Sequence, residues 1–422
     1  DFLRVLPLED QLQDVVLLSG QVERPGGYQY RKGMRVTDLL GSAEALLPGA
    51  DIDFLLVKRE HRATLRNQVL YTNLLRAIEQ PGGEADLPLQ ARDQVIVFNL
   101  ADSREQTLAE IVSDLELQAT DYRPPRIIEL HGAVRFPGRL PLQDGARLLD
   151  LVALGGGLKT GADLHYGVIA RTLHPSRDIE VFSFSLAAAQ YAPESPDNPQ
   201  IQPGDRLYFF DEDRGRATLL AGEIERLRGQ ASFGAEESLV TILGEVHHGG
   251  TYPLEPQMRA SDLLCAAGGL TRKAYGVTGE LSRVSYSMDG DNSTHHISLD
   301  SGRLLRICEL KRGFAKGRVS QGEYLAAYND DLANPMLQRM DQMAFSEKSG
   351  WVERATVTVS GEVQHPGVYA IDRGETLCQV LERAGGLTED AYAFGAIFTR
   401  QSIRAMQQET IDQLHDQLDD LM

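Results

Sequence analysis

The sequence predicts an α+β protein, an elongated multi-domain chain in which tandem copies of one small sheet-and-helix unit are joined by helical linkers. Its 422 residues are enough for several domains. Four segments of the chain resemble one another, and their anchor glycines recur at almost equal intervals. Each segment passes from an alternating apolar pattern to a helical one, which predicts strands followed by a helix. The anchor glycines are Gly20, Gly132, Gly244 and Gly361.

Each copy opens with a predicted β-hairpin. In the fourth copy, "TVTVSGEV" places Val357 and Val359 in alternation with polar residues, as in a half-buried strand. Pro366 has a fixed φ and Gly367 tolerates a positive φ, so the chain turns here. The run "VYAI" then starts the second strand of the hairpin.

A short helix follows the hairpin. Apolar residues from Leu377 to Ala384 recur at helical spacing and predict one buried helix face. A double glycine comes next, where a helix C-terminus favours a left-handed backbone. The first copy has Glu44 and Ala45 in this slot, so we expect its helix to end differently. The double glycines of the third and fourth copies are Gly268, Gly269, Gly385 and Gly386.

A turn and an alternating run close the first three copies as a last strand. Asp93, Asp205 and Asp341 mark this turn, and the third copy carries extra residues before it. The equivalent position of the fourth copy lies beyond Met422. We therefore expect the fourth domain to be incomplete, or to be closed by another segment.

A hairpin, a crossing helix and a late strand together make a β-grasp plan, a small mixed sheet that holds one helix. Amphipathic runs between the copies predict linker helices. The predicted boundaries are residues 14–100 for β-grasp 1, 101–122 for a helical linker, 123–211 for β-grasp 2, 212–234 for a second helical linker, 235–347 for β-grasp 3 with its insertion, 352–401 for an incomplete β-grasp 4, and 402–422 for a C-terminal helix.

The net charge of −19 argues against nucleic acid and against an anionic membrane surface, because both partners need basic patches. No apolar run approaches the ~20 residues that span a bilayer, and a secretion signal is either absent or already removed. Cys265, Cys308 and Cys378 do not recur between the copies. We expect all three to be free, buried thiols.

Arginines and tyrosines that recur between the copies are the candidate binding residues. A guanidinium group can hold the carboxylate of an acidic sugar with two hydrogen bonds, and the alternative is a structural salt bridge. The tyrosines follow the hairpin turn, where they either stack on sugar rings or pack into the core. These candidates for glycan or inter-domain contact are Arg59, Arg171, Arg283, Arg400, Tyr28, Tyr252 and Tyr369.

Motifs for catalysis, metals or cofactors are weak throughout. The run "GGGLKTG" from Gly155 lacks the Gly-Lys-Ser/Thr ending of a phosphate loop. The run "DGDNSTHHISLD" starts like a calcium loop at Asp289, but Thr294 replaces the central glycine. The pairs His247–His248 and His295–His296 would point to opposite faces of a strand. We expect no enzyme activity, no metal and no cofactor.

The stretch "GEVQHPGVYAIDRGETLCQVLERAGGLTEDAY" resembles the soluble-ligand-binding β-grasp (SLBB) domain. Several such domains with linkers like "LLAGEIERLRGQA" resemble the periplasmic part of outer-membrane polysaccharide export proteins, over residues 14–400. The resemblance implies a non-catalytic scaffold or conduit for capsular polysaccharide or exopolysaccharide. It also implies a periplasmic location, with attachment to the outer membrane through parts outside this chain.

The partners implied by this resemblance are a weakly bound polysaccharide, an inner-membrane polysaccharide copolymerase and a ring of identical chains. The alternative is a soluble module that captures a glycan or another small ligand in one repeat. A polysaccharide hydrolase or lyase would need two carboxylates about 5 to 10 Å apart in a cleft.

Overall fold

The computed structural model describes residues 14–61, 64, 66–120, 123–173, 175–211, 215–232, 236–286, 292–315, 317–347, 355–371 and 375–399. The chain divides into two compact units, residues 1–348 and 349–422. The first unit holds three five-stranded sheets and the second holds the fourth repeat. The predicted α+β class with tandem β-grasp-like units is confirmed. The predicted C-terminal helix at 402–422 lies outside the described residues.

The first repeat consists of β1 (Val15–Gly20), β2 (Gly26–Gln29), α1 (Val36–Leu40), β3 (Ala50–His61), β4 (Arg66–Thr72), α2 (Leu74–Glu79) and β5 (Gln94–Asn99). Its strands lie in the order β2-β1-β5-β3-β4. The closing strand β5 runs parallel to β1 and antiparallel to β3. The last strand of the repeat therefore lies in the middle of its sheet. The linker helix α3 (Arg104–Leu117) follows.

The second repeat has the same strand order, with closing strand β10 between β6 and β8. Its elements are β6 (Ile127–Gly132), β7 (Gly138–Pro141), α4 (Leu148–Leu154), β8 (Ala162–Thr172), β9 (Ile179–Phe184), α5 (Leu186–Tyr191) and β10 (Arg206–Asp211), followed by the linker helix α6 (Arg216–Gly229).

The third repeat again places its closing strand between the first and third strands. Two longer helices account for its extra residues, in the place of the short helices α2 and α5. Its elements are β11 (Leu239–Gly244), β12 (Gly250–Pro253), α7 (Ala260–Ala266), β13 (Ala274–Tyr286), β14 (Asn292–Asp300), α8 (Ser301–Ala315), α9 (Gln321–Tyr328) and β15 (Gln342–Glu347).

The central strands β5 and β10 of the first two sheets bury both of their faces. In β5, Val95 and Val97 pack with residues of α1, in the core of the first repeat. Ile96 and Phe98 face the other way and share a second core with α3 and the second repeat. Strand alternation makes this possible, because successive side chains point to opposite faces. The linker helix is thus part of a core that continues from one repeat into the next.

The second unit contains β16 (Ala355–Val359), β17 (Gly367–Ile371) and α10 (Leu377–Arg383). The two strands pair in antiparallel fashion, and they form a sheet of two strands among the residues described there. Its small core consists of Val359, Val363, Val380 and Ala384.

The prediction of three free, buried thiols is wrong. Cys265 of α7 and Cys308 of α8 form a disulfide, with their Cα atoms 5.7 Å apart. Comparison of the repeats could not reveal this bond, because Cys308 lies in the part of α8 that extends beyond the short helices α2 and α5. Cys378 is free, but it is exposed.

The first helix does end differently, as its missing double glycine predicts. Helix α1 stops at Leu40, and Gly41 takes a φ of 73° directly after it. A 3-10 turn over Ala43–Ala45 then occupies the slot of the double glycine.

Candidate functional site

The recurrent arginines form two-pronged salt bridges with the aspartates of the closing turns. In the second repeat, Arg171 Nε lies 2.9 Å from Asp205 Oδ1, and Arg171 Nη2 lies 2.7 Å from Asp205 Oδ2. Arg283 binds Asp341 with distances of 2.9 and 2.6 Å. Arg59 binds Asp93 with the same two distances. Arg400 lies outside the described residues.

Each of these salt bridges also fixes the backbone before the closing strand. Arg59 Nη2 donates to the carbonyl oxygen of Pro88 at 2.8 Å. Asp93 accepts the backbone N–H of Gln90 at 2.7 Å. Equivalent bonds surround Arg171 and Arg283. A sugar carboxylate at these arginines would therefore have to compete with a buried aspartate that already fills the fork.

The candidate tyrosines close their own hairpin turns. The hydroxyl of each donates to the backbone carbonyl four residues earlier, over 2.5 to 2.7 Å. Tyr252 is fully buried, and burial raises its pKa to about 12. Tyr28 and Tyr369 are partly buried, and Tyr28 borders a crevice of about 330 Å³. These contacts give the tyrosines a structural role in the hairpin.

The anchor glycines allow the closing strand to approach β1, β6 and β11 closely. A Cβ atom on Gly20 would lie 1.9 Å from the carbonyl oxygen of Val97. Gly132 and Gly244 would make the same clash with Phe209 and Phe345, at 2.0 and 2.1 Å. Only a residue without a side chain fits there, and all three glycines also have a positive φ.

The double glycines lie against the hairpin tips. A Cβ atom on Gly268 would come within 3.0 Å of His248, and one on Gly385 within 2.8 Å of Gln364. Gly269 and Gly386 have φ values of +87° and +83°. A Cβ atom on Gly269 would make an ordinary van der Waals contact, and one on Gly386 would lie in open space. The double glycines therefore serve contacts within a repeat, in the helix exit and the hairpin.

An arginine at the start of each linker helix, which the sequence analysis missed, connects consecutive repeats. Arg104 forms a buried salt bridge with Asp51 of the first repeat, and its Nη1 donates to Ala153 at the end of α4 in the second repeat. Arg216 repeats this arrangement between Asp163 and Ala266 at the end of α7. Both guanidinium groups also lie over aromatic rings. The signal in the sequence is an arginine at the first position of both linkers.

Burial shapes the electrostatics of this contact. It raises the pKa of Asp51, against the effect of Arg104, and it lowers the pKa of Arg104 to about 10. Arg104 is 1% exposed, so the salt bridge stands in for the water that both groups lose on folding.

A second contact recurs at the two joints, but its chemistry differs. At the first joint, the backbone N–H of Tyr71 donates to Gln143 Oε1 at 2.6 Å. At the second joint, Ser183 takes the place of Tyr71, and its N–H and hydroxyl both donate to Glu255 Oε2 at 2.8 Å. Burial raises the pKa of Glu255, although the bonds from Ser183 oppose the shift. The second joint therefore contains a partly buried carboxyl group where the first contains a neutral amide.

A crevice of about 520 Å³ opens at the first joint. His61, Arg66, Arg123 and Arg126 line it together with Asp144, which pairs with Arg126. Burial lowers the pKa of Arg126. In a chain with a net charge of −19, this is a local concentration of basic groups. Its volume falls in the range of about 300 to 1,000 Å³ that is usual for small-molecule sites.

A smaller crevice of about 140 Å³ lies at the second joint. Lys311 Nζ lies 3.0 Å from Asp262 Oδ1 beside it. Burial lowers the pKa of Lys311. Asp262 and its other neighbours outweigh burial and raise this pKa above its usual value. The Cys265–Cys308 disulfide and Tyr324 also line this crevice. Asp262 already neutralises Lys311 there, so Lys311 offers less to a charged ligand than the basic groups of the crevice at the first joint.

No group of three or more His, Cys, Asp or Glu side chains could hold a metal ion within the described ranges. His296 Nδ1 lies 2.6 Å from Glu280, and Asp289 and Asp291 of the calcium-loop-like run lie outside those ranges. Within the same ranges, no helix is long and apolar enough to cross a membrane.

Comparison with protein families agrees with the repeated architecture. The SLBB domain model matches residues 15–51, 127–174, 239–290 and 356–401. Each match begins at the first strand of a repeat. The chain therefore contains SLBB domains in tandem. No curated protein matches the chain.

Proposed function

We propose that this chain is a non-catalytic scaffold of a machine that exports capsular polysaccharide or exopolysaccharide through the periplasm. The observation that carries the proposal is the repeated joint, in which Arg104 and Arg216 each connect two SLBB repeats. A shared core and a buried ion pair at each joint fix three repeats in one compact unit. A scaffold needs this rigidity, whereas an array that captures ligands independently does not.

The Cys265–Cys308 disulfide supports the periplasmic location. Structural disulfides persist mainly in oxidising compartments, of which the bacterial periplasm is one. The bond joins α7 to α8, in the insertion of the third repeat.

The acidic surface supports the proposal that the chain is a conduit that binds the polysaccharide only weakly. A net charge of −19 repels an anionic polysaccharide over much of the surface. The partners in this proposal are the moving polysaccharide, an inner-membrane polysaccharide copolymerase and further copies of the chain in a ring.

Deletion and complementation in the bacterium that encodes the chain test the proposal. Loss of the gene should abolish surface polysaccharide while polymer accumulates inside the cell. The wild-type gene should restore export, and a variant with Arg104→Ala and Arg216→Ala should restore less of it at equal protein level. Unchanged export after deletion, or new reducing ends when purified chain is mixed with the polymer, would contradict a non-catalytic export role.

The basic crevice at the first joint favours a second candidate, a module that binds an acidic glycan. His61, Arg66 and Arg123 would face the carboxylates of one or two sugar rings. Calorimetric titration with a uronic-acid disaccharide and with a neutral disaccharide tests this. Binding of the acidic sugar alone, weakened by a variant with Arg66→Ala and Arg123→Ala, supports the module. Arg228→Ala is a matched control, because Arg228 is exposed and does not line the crevice.

A further inference from the structure

The insertion of the third repeat reaches back to the second repeat through helix α8. Tyr191, at the end of α5 in the second repeat, lies against Gly317, which follows α8: a Cβ atom added to this glycine would be 2.0 Å from the tyrosine hydroxyl oxygen. Ala188 of α5 and Lys311 of α8 line the same crevice at the second joint. Residues 301–328, which comprise α8 and α9, therefore form a strap across this joint.

Charge also couples the strap to the second repeat. Asp197, in the segment after α5, lines the crevice together with Lys311. Burial raises the pKa of Asp197, and the charge of Lys311 opposes this shift. Lys311 Nζ also lies 3.0 Å from Asp262 of α7 in the third repeat. One ammonium group of the strap thus interacts with carboxyl groups of both repeats.

The disulfide lies where the strap leaves the core of its own repeat. Leu304, in the first half of α8, is fully buried in the core that the third repeat shares with the linker helix α6. Lys311 and Phe314, in the second half, line the crevice instead. The bond from Cys308 to Cys265 of α7 lies between the two halves. Without it, the first half would stay in the core, but the second half would lose its covalent attachment there.

The disulfide is accessible to a small thiol through the crevice. Both cysteines line the crevice. Cys308 is 5% exposed and Cys265 is partly buried, so Cys265 is the more accessible of the two. The crevice has a volume of about 140 Å³, and a cavity of about 150 Å³ holds a molecule of the size of benzene. A thiol with two or three carbon atoms fits this space.

We propose that the Cys265–Cys308 disulfide is a thiol-exchange site, and that its reduction releases the strap and loosens the second joint. A small thiolate attacks Cys265 Sγ, the bond to Cys308 breaks, and Cys308 leaves as a thiolate that takes a proton from water. A second thiolate attacks the sulfur of the first one in this mixed disulfide and frees Cys265. Two small thiols are oxidised to one disulfide while the protein disulfide is reduced to two thiols. This inference does not depend on a role in polysaccharide export.

The first joint provides an internal comparison. Arg104 and Arg216 make matching buried salt bridges at the two joints. Helix α5, which takes the place of α8 in the second repeat, is only six residues long and contains no cysteine. Reduction should therefore change the second joint and leave the first joint as it is.

Mass spectrometry of the full chain with 2-mercaptoethanol tests the exchange site. The reaction is carried out under native conditions on the Cys378→Ser chain and is stopped with N-ethylmaleimide. We expect the mixed disulfide on Cys265, with N-ethylmaleimide on Cys308 of the same molecules. Single variants supply the control: the thiol left by Cys308→Ser should react with iodoacetamide faster than the thiol left by Cys265→Ser. The site is overturned if the mixed disulfide forms mainly on Cys308, or if the bond stays intact in the folded chain.

Hydrogen exchange tests the release of the strap. On reduction, exchange in residues 309–315 and in α5 should become about tenfold faster, because both lose the contact that the bond maintains. Exchange in α2 and α3, at the first joint, should not change. The double variant with Cys265→Ser and Cys308→Ser should exchange like the reduced chain, with or without the thiol.

Tyr191→Ala separates release of the strap from a general loss of stability. Tyr191 is 62% exposed, so the fold should tolerate the change. In this variant, reduction should still speed exchange in residues 309–315 but should have a much smaller effect on α5. The proposal is overturned if reduction leaves α5 unchanged in the chain that keeps Tyr191, or if exchange rises equally at both joints.

Discussion

Arg104 and Asp51 form a buried salt bridge across the first joint, and the same guanidinium group donates to the end of α4 in the second repeat. One side chain of the linker helix therefore contacts both repeats that the linker connects. Arg216 and Asp163 repeat the arrangement at the second joint. The stability of each joint should depend on these arginines more than on any exposed ion pair.

Replacing Arg104 with alanine should lower the free energy of unfolding of the first unit by about 3 to 5 kcal/mol, because it leaves Asp51 buried without its partner. Urea unfolding followed by circular dichroism measures the change. The double variant with Arg104→Met and Asp51→Leu should recover most of the loss, since it removes both charges. Arg139→Ala breaks an exposed salt bridge with Glu116 and should change stability by no more than about 1 kcal/mol. An equal loss in both arginine variants would contradict the role of burial.

Glu255 should make the second joint sensitive to pH. Its pKa in the folded state is raised by burial, so the fold favours the neutral acid. Its contribution to stability is fully present below the unfolded pKa near 4.5, and it is lost as the pH rises through the raised folded-state value. The variant Glu255→Gln should therefore unfold at a higher temperature than the wild type at pH 7.5, with a smaller difference at pH 4.5.

The first joint supplies the matched control for this prediction. Gln143 lies at the equivalent position, and Gln143→Glu should introduce the pH dependence that Glu255→Gln removes. Thermal unfolding scans between pH 4.5 and 8 would compare the variants. If the melting temperature depends on pH in the same way in the wild type and in Glu255→Gln, Glu255 is not the cause.

Loss of the Cys265–Cys308 disulfide should destabilise the third repeat by about 2 to 4 kcal/mol, because the bond restricts the unfolded chain between α7 and α8. Melting temperatures with and without dithiothreitol measure this effect. Cys308→Ser should show a lowered melting temperature that dithiothreitol no longer changes. Cys378→Ser is the control, since Cys378 is exposed and free, and it should melt like the wild type.

Alanine at Gly132 should be far more costly than alanine at Gly361. Both glycines have a positive φ, which costs about 1 to 3 kcal/mol for a residue with a side chain. At Gly132 the added Cβ would also lie 2.0 Å from the Phe209 carbonyl oxygen and would push the closing strand away. Thermal unfolding of the two variants would show the difference. Hydrogen exchange would follow the first unit in Gly132→Ala and the second unit in Gly361→Ala. Equal losses would mean that φ alone requires these glycines.

Much of the repeat could be predicted from the sequence because its signals are local. Gly361 and Gly367 mark turns through their backbone freedom, and the spacing of apolar residues from Leu377 to Ala384 predicts α10. The arginine and tyrosine candidates were found in the same way, by position. The partners of the arginines were not, because Arg171 and Asp205 are 34 residues apart and meet only when β10 enters the middle of the sheet.

The sequence by itself determined that one β-grasp-like unit recurs four times, since turns, strands and helices follow from preferences of neighbouring residues. Tertiary structure alone decided that Arg104 holds two repeats together, that Glu255 accepts bonds from Ser183, and that Cys265 pairs with Cys308. These properties depend on which residues, far apart in the sequence, pack together and exclude water. No short stretch of residues carries that information.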